Sequence, residues 1–348
     1  MADIHIRKEG RAGRITLNRP KALNALTYEM CLEIDAALKL WSDDAEVALV
    51  LFDAEGDRAF CAGGDIAEMY ETGTQGDYAY GRRFWADEYR MNARIASYPK
   101  PVVSLLQGFT MGGGVGVGCH GSHRIVGESS QIAMPECGIG LMPDVGGSFL
   151  LALAPGRLGE YLGTTGARMG PADAILVGFA DLFVPEADWP ALISKLIETG
   201  DAQVILGYTS QPPEGRFAAL RPEIDAHFAG ETAGDILRAL RHSDSAFAEE
   251  AMKAFTRSAP LSAACTVEML HRLRGAPSMR RALELEYRFT YRSMEHGDFI
   301  EGIRAAIIDK DRNPRWRHDS AEAVSGMEVS KMLMPLGAQA LTFEEELA

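Results

Sequence analysis

The stretch "AMPECGIGLMPDVGG" (residues 133–147) holds two carboxylates, Glu136 and Asp144, each directly after a proline in a segment otherwise apolar or glycine. Acids brought together in a dry setting push their pKa values apart, so that one keeps its proton while the other ionises near neutrality. Such a pair can transfer protons, activate water or attack a carbonyl carbon. The competing reading is that the two acids cap two helices.

Two glycine-rich segments share one design: "AFCAGGDIAEMY" (59–70) and "GFTMGGGVGVGCHG" (108–121). Each follows an apolar stretch expected as a strand and leads through glycines into an expected helix. A helix start leaves backbone N–H groups unpaired and carries positive dipole, and glycine lets a ligand reach those groups without a Cβ in the way. Two such starts aimed at one point would stabilise an anionic oxygen by several kcal/mol. Either loop alone reads more simply as a tight turn. Gly116, Gly118 and Gly121 spell GxGxxG, but the triplet falls within the helix and no acid near position 141 ends a following strand, which excludes a dinucleotide site. Cys61 with His120 would make a thiol–base pair, and Cys119, His120 and His123 a loose metal set. Nothing orients the first, and the second has no fourth ligand.

The elements that must position these groups alternate in type. "DIHIRKEGRAGRITLN" predicts a hairpin turning at Gly13. Thr27 is expected to cap a helix with Glu29 in its first turn, and Met30, Ile34, Leu38 and Trp41 mark its buried face. "EVALVLFDAEG", "PVVSLLQG", "SHRIVGE" and "QIAMPE" read as short buried strands. After about Val184 the pattern becomes mainly helical, as in "TAGDILRALR" and "SMRRALELEYRFTYRSMEHG". This predicts an α/β protein with a core over 1–205 and a mainly helical region over 206–348.

Composition narrows the function classes. The 348 residues carry a formal net charge of −14, which argues against a nucleic-acid partner. Five cysteines without a CxxC pair suggest neither a zinc ribbon nor a disulfide framework. "MADIHIRKEG" lacks the apolar core of a signal peptide, and no apolar run approaches a membrane span. A cytoplasmic protein with no membrane partner is the expectation.

Taken in order and spacing, "ITLNRPKALNAL", "AFCAGGDI", "GFTMGGGVGVG" and "MPECGIGLMPDVGG" resemble the crotonase (enoyl-CoA hydratase/isomerase) superfamily. The resemblance is nearest to its subgroup of 3-hydroxyacyl-CoA hydrolases and continues through "LELEYRFTYRSMEHGDFIEGIRAAIIDKDRNPRW". It implies a crotonase-type spiral of ββα units with a helical C-terminal region. It implies a small-molecule acyl-CoA substrate, with an oxyanion hole at the N–H groups of Gly64 and Gly113. Hydratases of the superfamily use two glutamates. The second matches Glu136, whereas the first falls on Gly116, which has no side chain. In the hydrolase subgroup an aspartate replaces the missing acid, at the position of Asp144, and Glu88 matches a further acid lining the substrate site. The implied reaction is hydrolysis of a short 3-hydroxyacyl thioester, 3-hydroxyisobutyryl-CoA of valine breakdown foremost. Glu136 would act as nucleophile or general base, and Asp144 would handle the 3-hydroxyl, water or the proton for sulfur. Hydration or isomerisation, and a non-catalytic acyl-CoA-binding module, are the alternatives. The resemblance implies no metal or redox cofactor and allows a homo-oligomer. Lys21 and Leu23 fall in a segment that borders CoA in the family. The basic and aromatic run 308–318 reads as solvated surface, or as a contact for CoA phosphates or a partner subunit.

Overall fold

Strands β1 (Ile4–Glu9) and β2 (Ala12–Leu17) form an antiparallel hairpin in this computed structural model, which describes residues 2–343. The turn lies at Gly10, whose φ is +55°, and not at Gly13 as the sequence suggests. Gly13 is within β2, where a Cβ would lie 2.4 Å from the Trp41 ring. Its smallness serves close packing of the Tyr28–Ser42 helix on the strand. That helix is capped as expected, with the Thr27 hydroxyl accepting from the Met30 N–H at 3.1 Å, and Met30, Ile34, Leu38 and Trp41 are all buried.

The remaining strands come in pairs: β3 (Leu49–Ala54) with β4 (Ala59–Cys61), β5 (Val102–Leu105) with β6 (Phe109–Met111), and β7 (His123–Val126) with β8 (Gln131–Ala133). The first member of each pair joins a six-stranded sheet ordered β1-β2-β3-β5-β7-β9, closed by β9 (Leu182–Phe183). The second joins a three-stranded sheet ordered β4-β6-β8. Each turn of chain thus adds one parallel strand to each sheet, which is the expected spiral of ββα units. The short β4 and β6 escape sequence reading, because three residues are too few to show a period. On the larger sheet, Leu49, Leu51, Val103, Leu105 and Ile125 pack against Trp189, Leu192 and Leu196 of the Trp189–Thr199 helix.

By compactness the chain forms two units of interleaved segments. One comprises Met1–Asp65, Met91–Ala133 and Arg168–Ala218, and holds every strand named above. The other comprises Ile66–Arg90, Met134–Ala167 and Ala219–Ala348. By element content, every strand among the described residues precedes position 184, and the chain after 206 is helix and loop. In the second unit the Pro260–Arg274 helix packs on Gly147–Leu153 and Leu158–Thr165. At Gly163 a Cβ would lie 3.0 Å from Thr266, which shows how closely these helices approach.

Candidate active site

In the first unit, β4 and β6 pair in parallel with Ala59 opposite Phe109 and Cys61 opposite Thr110, so the loops leaving their C-terminal ends start side by side. The approach is tight enough that a Cβ on Gly114 would lie 2.1 Å from the Cys61 carbonyl oxygen. Gly63 (φ +120°) and Gly112 (φ +48°, ψ −120°) adopt conformations that side chains rarely reach. Gly64 is bridged to Leu26: the Leu26 N–H donates to the Gly63 carbonyl at 2.9 Å, and the Asp65 N–H donates to the Leu26 carbonyl at 2.8 Å. In a parallel bridge of this kind the central residue's own N–H points away from its partner strand. Gly113 opens the Gly113–Gly118 helix, so its N–H has no acceptor within the helix. The backbone pattern thus leaves over the two N–H groups, on neighbouring loops.

The segment around Lys21 and Leu23 supports this loop through its backbone. The Leu23 carbonyl accepts from the Ala62 N–H at 3.0 Å. Arg19 pairs with Asp65 at 2.9 Å and donates to the Ala25 carbonyl. Buried Asn24 donates to the Glu55 and Ala59 carbonyls at 3.0 and 2.9 Å. Lys21 itself is exposed. Arg19 and Asn24 were not singled out by sequence, although both lie in its "ITLNRPKALNAL" motif.

The second unit collects the acids. Glu136 begins the 3-10 turn Glu136–Ile139, and Asp144 precedes two left-handed residues, Val145 (φ +53°) and Gly146 (φ +79°). Neither acid makes a side-chain cap on the helical segment beside it, which removes the two-caps reading. The Tyr89 hydroxyl, on the Ala79–Ala96 helix, donates to Asp144 Oδ2 at 2.8 Å. Glu88 is its chain neighbour. Glu286, on the Met279–His296 helix, accepts from the Gly146 N–H at 2.9 Å, from the Ser148 N–H at 3.2 Å, and from the Ser148 hydroxyl. Glu88, Glu136, Asp144 and Glu286 are all buried. Among the described residues, Glu88 Oε1 and Glu136 Oε2 have no hydrogen-bond partner.

Four acids therefore share one dry neighbourhood, and no Lys, Arg or His among the described residues ion-pairs with them. Burial, then the charge of Asp144, holds Glu136 well above the ordinary glutamate range. Burial raises Asp144 to about 7, with the Tyr89 hydrogen bond opposing. Burial raises Glu286 to about 8 against the pull of its Ser148 and Gly146 donors, and Asp144 adds to the rise. Glu88 is pushed well up by burial, Asp144 and Glu286. Glu160, buried in the same unit, shows the opposite case. Burial opposes its charge too, but His271, Arg274 at 2.5 Å and Arg157 at 2.9 Å hold it below the usual value. The first cluster is built to keep protons, and Glu160 is built to keep a charge.

Sequence reading missed Glu286 and Tyr89. The signal for Glu286 is its period: it lies on the buried stripe of Ala282, Leu283, Phe289, Thr290 and Ser293. The discounted candidates find other surroundings. The Cys61 thiol is turned onto the Gly63 carbonyl at 3.5 Å. Burial pushes the Cys119 thiol up to about 12. Among the described residues no group of three His, Cys, Asp or Glu is placed to hold a metal ion. In and beside the basic run, Arg304 pairs with Asp309 and Asp311 at 2.6 and 2.8 Å, and His318 with Glu328 at 3.0 Å.

Over residues 12–333 the chain belongs to the enoyl-CoA hydratase/isomerase family. It is 36% identical over 347 residues to a protein of Gallus gallus named "3-hydroxyisobutyryl-CoA hydrolase, mitochondrial", covering 97% of this chain and 90% of that one. Among solved structures it is similar to one described as an enoyl-CoA hydratase from Rhodobacter sphaeroides 2.4.1, with 62% identity, a TM-score of 0.94, and coverage of 98% of this chain and 100% of that one. It is also similar to one described as a carnitinyl-CoA dehydratase from Mycobacterium thermoresistibile, with 40% identity, a TM-score of 0.94 and 99% of both chains covered.

Proposed function

We propose that this chain hydrolyses a short 3-hydroxyacyl-CoA thioester, foremost 3-hydroxyisobutyryl-CoA, consuming one water and releasing the hydroxy acid and free CoA, as a step of valine breakdown. One observation carries the reading: the chain has buried acids at Glu136 and Asp144 but only hydrogen at Gly116, where a hydratase of the family carries its first glutamate. The similarity to proteins named as 3-hydroxyisobutyryl-CoA hydrolases supports it.

In this reading the thioester oxygen takes hydrogen bonds from the N–H groups of Gly64 and Gly113, which strengthen as negative charge grows on it. Glu136 acts on the carbonyl carbon in the arrangement of the pair whose proton sits on Asp144, either directly through its partnerless Oε2, giving a mixed anhydride that one water then cleaves, or through a water it deprotonates. The bond to sulfur then breaks. The leaving thiol is weakly basic compared with an alkoxide, its conjugate acid being near the free-cysteine pKa of about 8.5, so modest proton help suffices. Asp144, poised near neutrality, supplies that proton and recovers it from water. Glu88, with Oε1 unpartnered, accepts the 3-hydroxyl of the substrate.

The names of the two similar structures favour a second reading, hydration or dehydration of an enoyl thioester. Measuring thiol release from 3-hydroxyisobutyryl-CoA, 3-hydroxypropionyl-CoA, isobutyryl-CoA and crotonyl-CoA separates the two. Rapid release from the 3-hydroxy esters alone supports the hydrolase. Loss of the crotonyl-CoA enone absorbance without thiol release makes the chain a hydratase.

A further inference from the structure

The turn that carries Asp144 is not self-supporting. Val145 is β-branched and stands at φ +53°, a region that disfavours such a side chain, and Gly146 follows at φ +79°. The turn's free donors, the Gly146 N–H, the Ser148 N–H and the Ser148 hydroxyl, all converge on Glu286. Oε2 takes the first and Oε1 the other two, so both oxygens of a carboxylate are used. Glu286 has no exposed surface, sits on an apolar stripe and makes no ion pair among the described residues. A stabilising ion pair therefore does not explain an acid at this place. One helical turn further along, Thr290 lies 3.4 Å from the Tyr89 hydroxyl that donates to Asp144. The same helix thus reaches Asp144 along two routes, through its backbone turn and through the donor to its carboxylate.

We propose that Glu286 is a positioning residue for turnover: it clamps the Val145–Ser148 turn so that Asp144 is held in its Tyr89-bonded arrangement. The inference rests on the function proposed above, in which Asp144 moves protons. A glutamine cannot replace the clamp, because its amide offers an acceptor to one side of the turn and turns a donor toward the other.

The test is a double-mutant cycle in full-length protein, with thiol release from 3-hydroxyisobutyryl-CoA as the readout and thermal melting as the check on folding. Glu286→Gln is expected to lower kcat roughly 30-fold with KM within about 3-fold, as for an interaction made chiefly in the transition state. In an Asp144→Asn background the same change is expected to cost less than about 3-fold, because the residue it acts through is already gone. Should Glu286→Gln fail to fold, Glu286→Asp takes its place in the cycle, since it keeps the charge but shortens the reach. An equal cost in both backgrounds, or parental kcat in a folded Glu286 variant, overturns the clamp. An Asp144→Asn enzyme with parental turnover instead overturns the function assigned to Asp144.

Discussion

The buried hydroxyl of Tyr89 donates to Asp144 Oδ2 at 2.8 Å, and the charge of Asp144 is felt by three other buried carboxylates, Glu88, Glu136 and Glu286. The Tyr89 bond favours the ionised aspartate, opposing burial. Because Asp144 must hold a proton to protonate the leaving sulfur, Tyr89→Phe is expected to move the alkaline limb of kcat/KM upward by about one to two pH units, given that a hydrogen bond to a charged group contributes about 1.5–3 kcal/mol. A pH–rate profile from 5 to 9 checks this, and an unmoved limb would show that Asp144 does not govern the profile.

Glu136 and Glu160 make opposite predictions for the same chemical change. Glu136→Gln removes a buried acid with no cation partner, so stability should hold or rise while kcat falls by about a thousandfold. Glu160→Gln leaves Arg157 and Arg274 without their counter-charge and should destabilise by about 2–4 kcal/mol, the two guanidinium groups being partly solvated. Urea denaturation of both variants, with turnover of the first, reads the contrast.

Stability itself should depend on pH through this cluster. Asp144 and Glu286 titrate near 7 and 8 in the folded chain, against about 4 for unfolded carboxyl groups. Between about pH 4 and 8 the folded state therefore holds protons that the unfolded state has released, and stability falls as pH rises through that window and levels off below it. The slope is at most about 1.4 kcal/mol per pH unit for each extra proton. Asp144→Asn should flatten it up to about pH 7, and Glu286→Gln up to about pH 8. Denaturation at pH 5, 6.5 and 8 measures the slope, and stability rising across this range would sink the picture of a proton-holding cluster.

Gly114→Ala probes the other half of the proposed machinery. Its methyl would meet the Cys61 carbonyl oxygen at 2.1 Å, so the loops after β4 and β6 must separate, at about 1–3 kcal/mol. We expect kcat/KM to fall more than tenfold in a protein that still melts cooperatively, since a donor displaced by a few tenths of an ångström loses much of its effect on a developing charge. Full activity in this variant would show that the two loops do not act together.

Much of this was legible beforehand for physical reasons. Continuous apolar runs such as "LVLF" mark strands buried on both faces, and the four-residue rhythm of Met30, Ile34, Leu38 and Trp41 marks a helix. Glu136 and Asp144 were visible because acids without polar neighbours are conspicuous. Glu286 was not, since "LELEYR" offers two acids on one helix, and only the stripe it shares with Leu283 and Phe289 separates the buried one from Glu284. The hairpin turn was misplaced because a glycine needed for space beside Trp41 looks, in sequence, like a glycine needed for a bend.

The spiral also bears on how readily one catalyst becomes another. The donors assigned to the thioester oxygen are main-chain groups, fixed by the register of β4 against β6 and indifferent to which side chains stand nearby. The acids follow from a different coil, after β8, where single side chains can be exchanged without altering that register. In the proposed mechanism, binding of the electrophile and choice of reaction thus rest on separate coils, and an exchange at Glu136 or Asp144 would redirect the chemistry while the grip on the carbonyl is passed on intact.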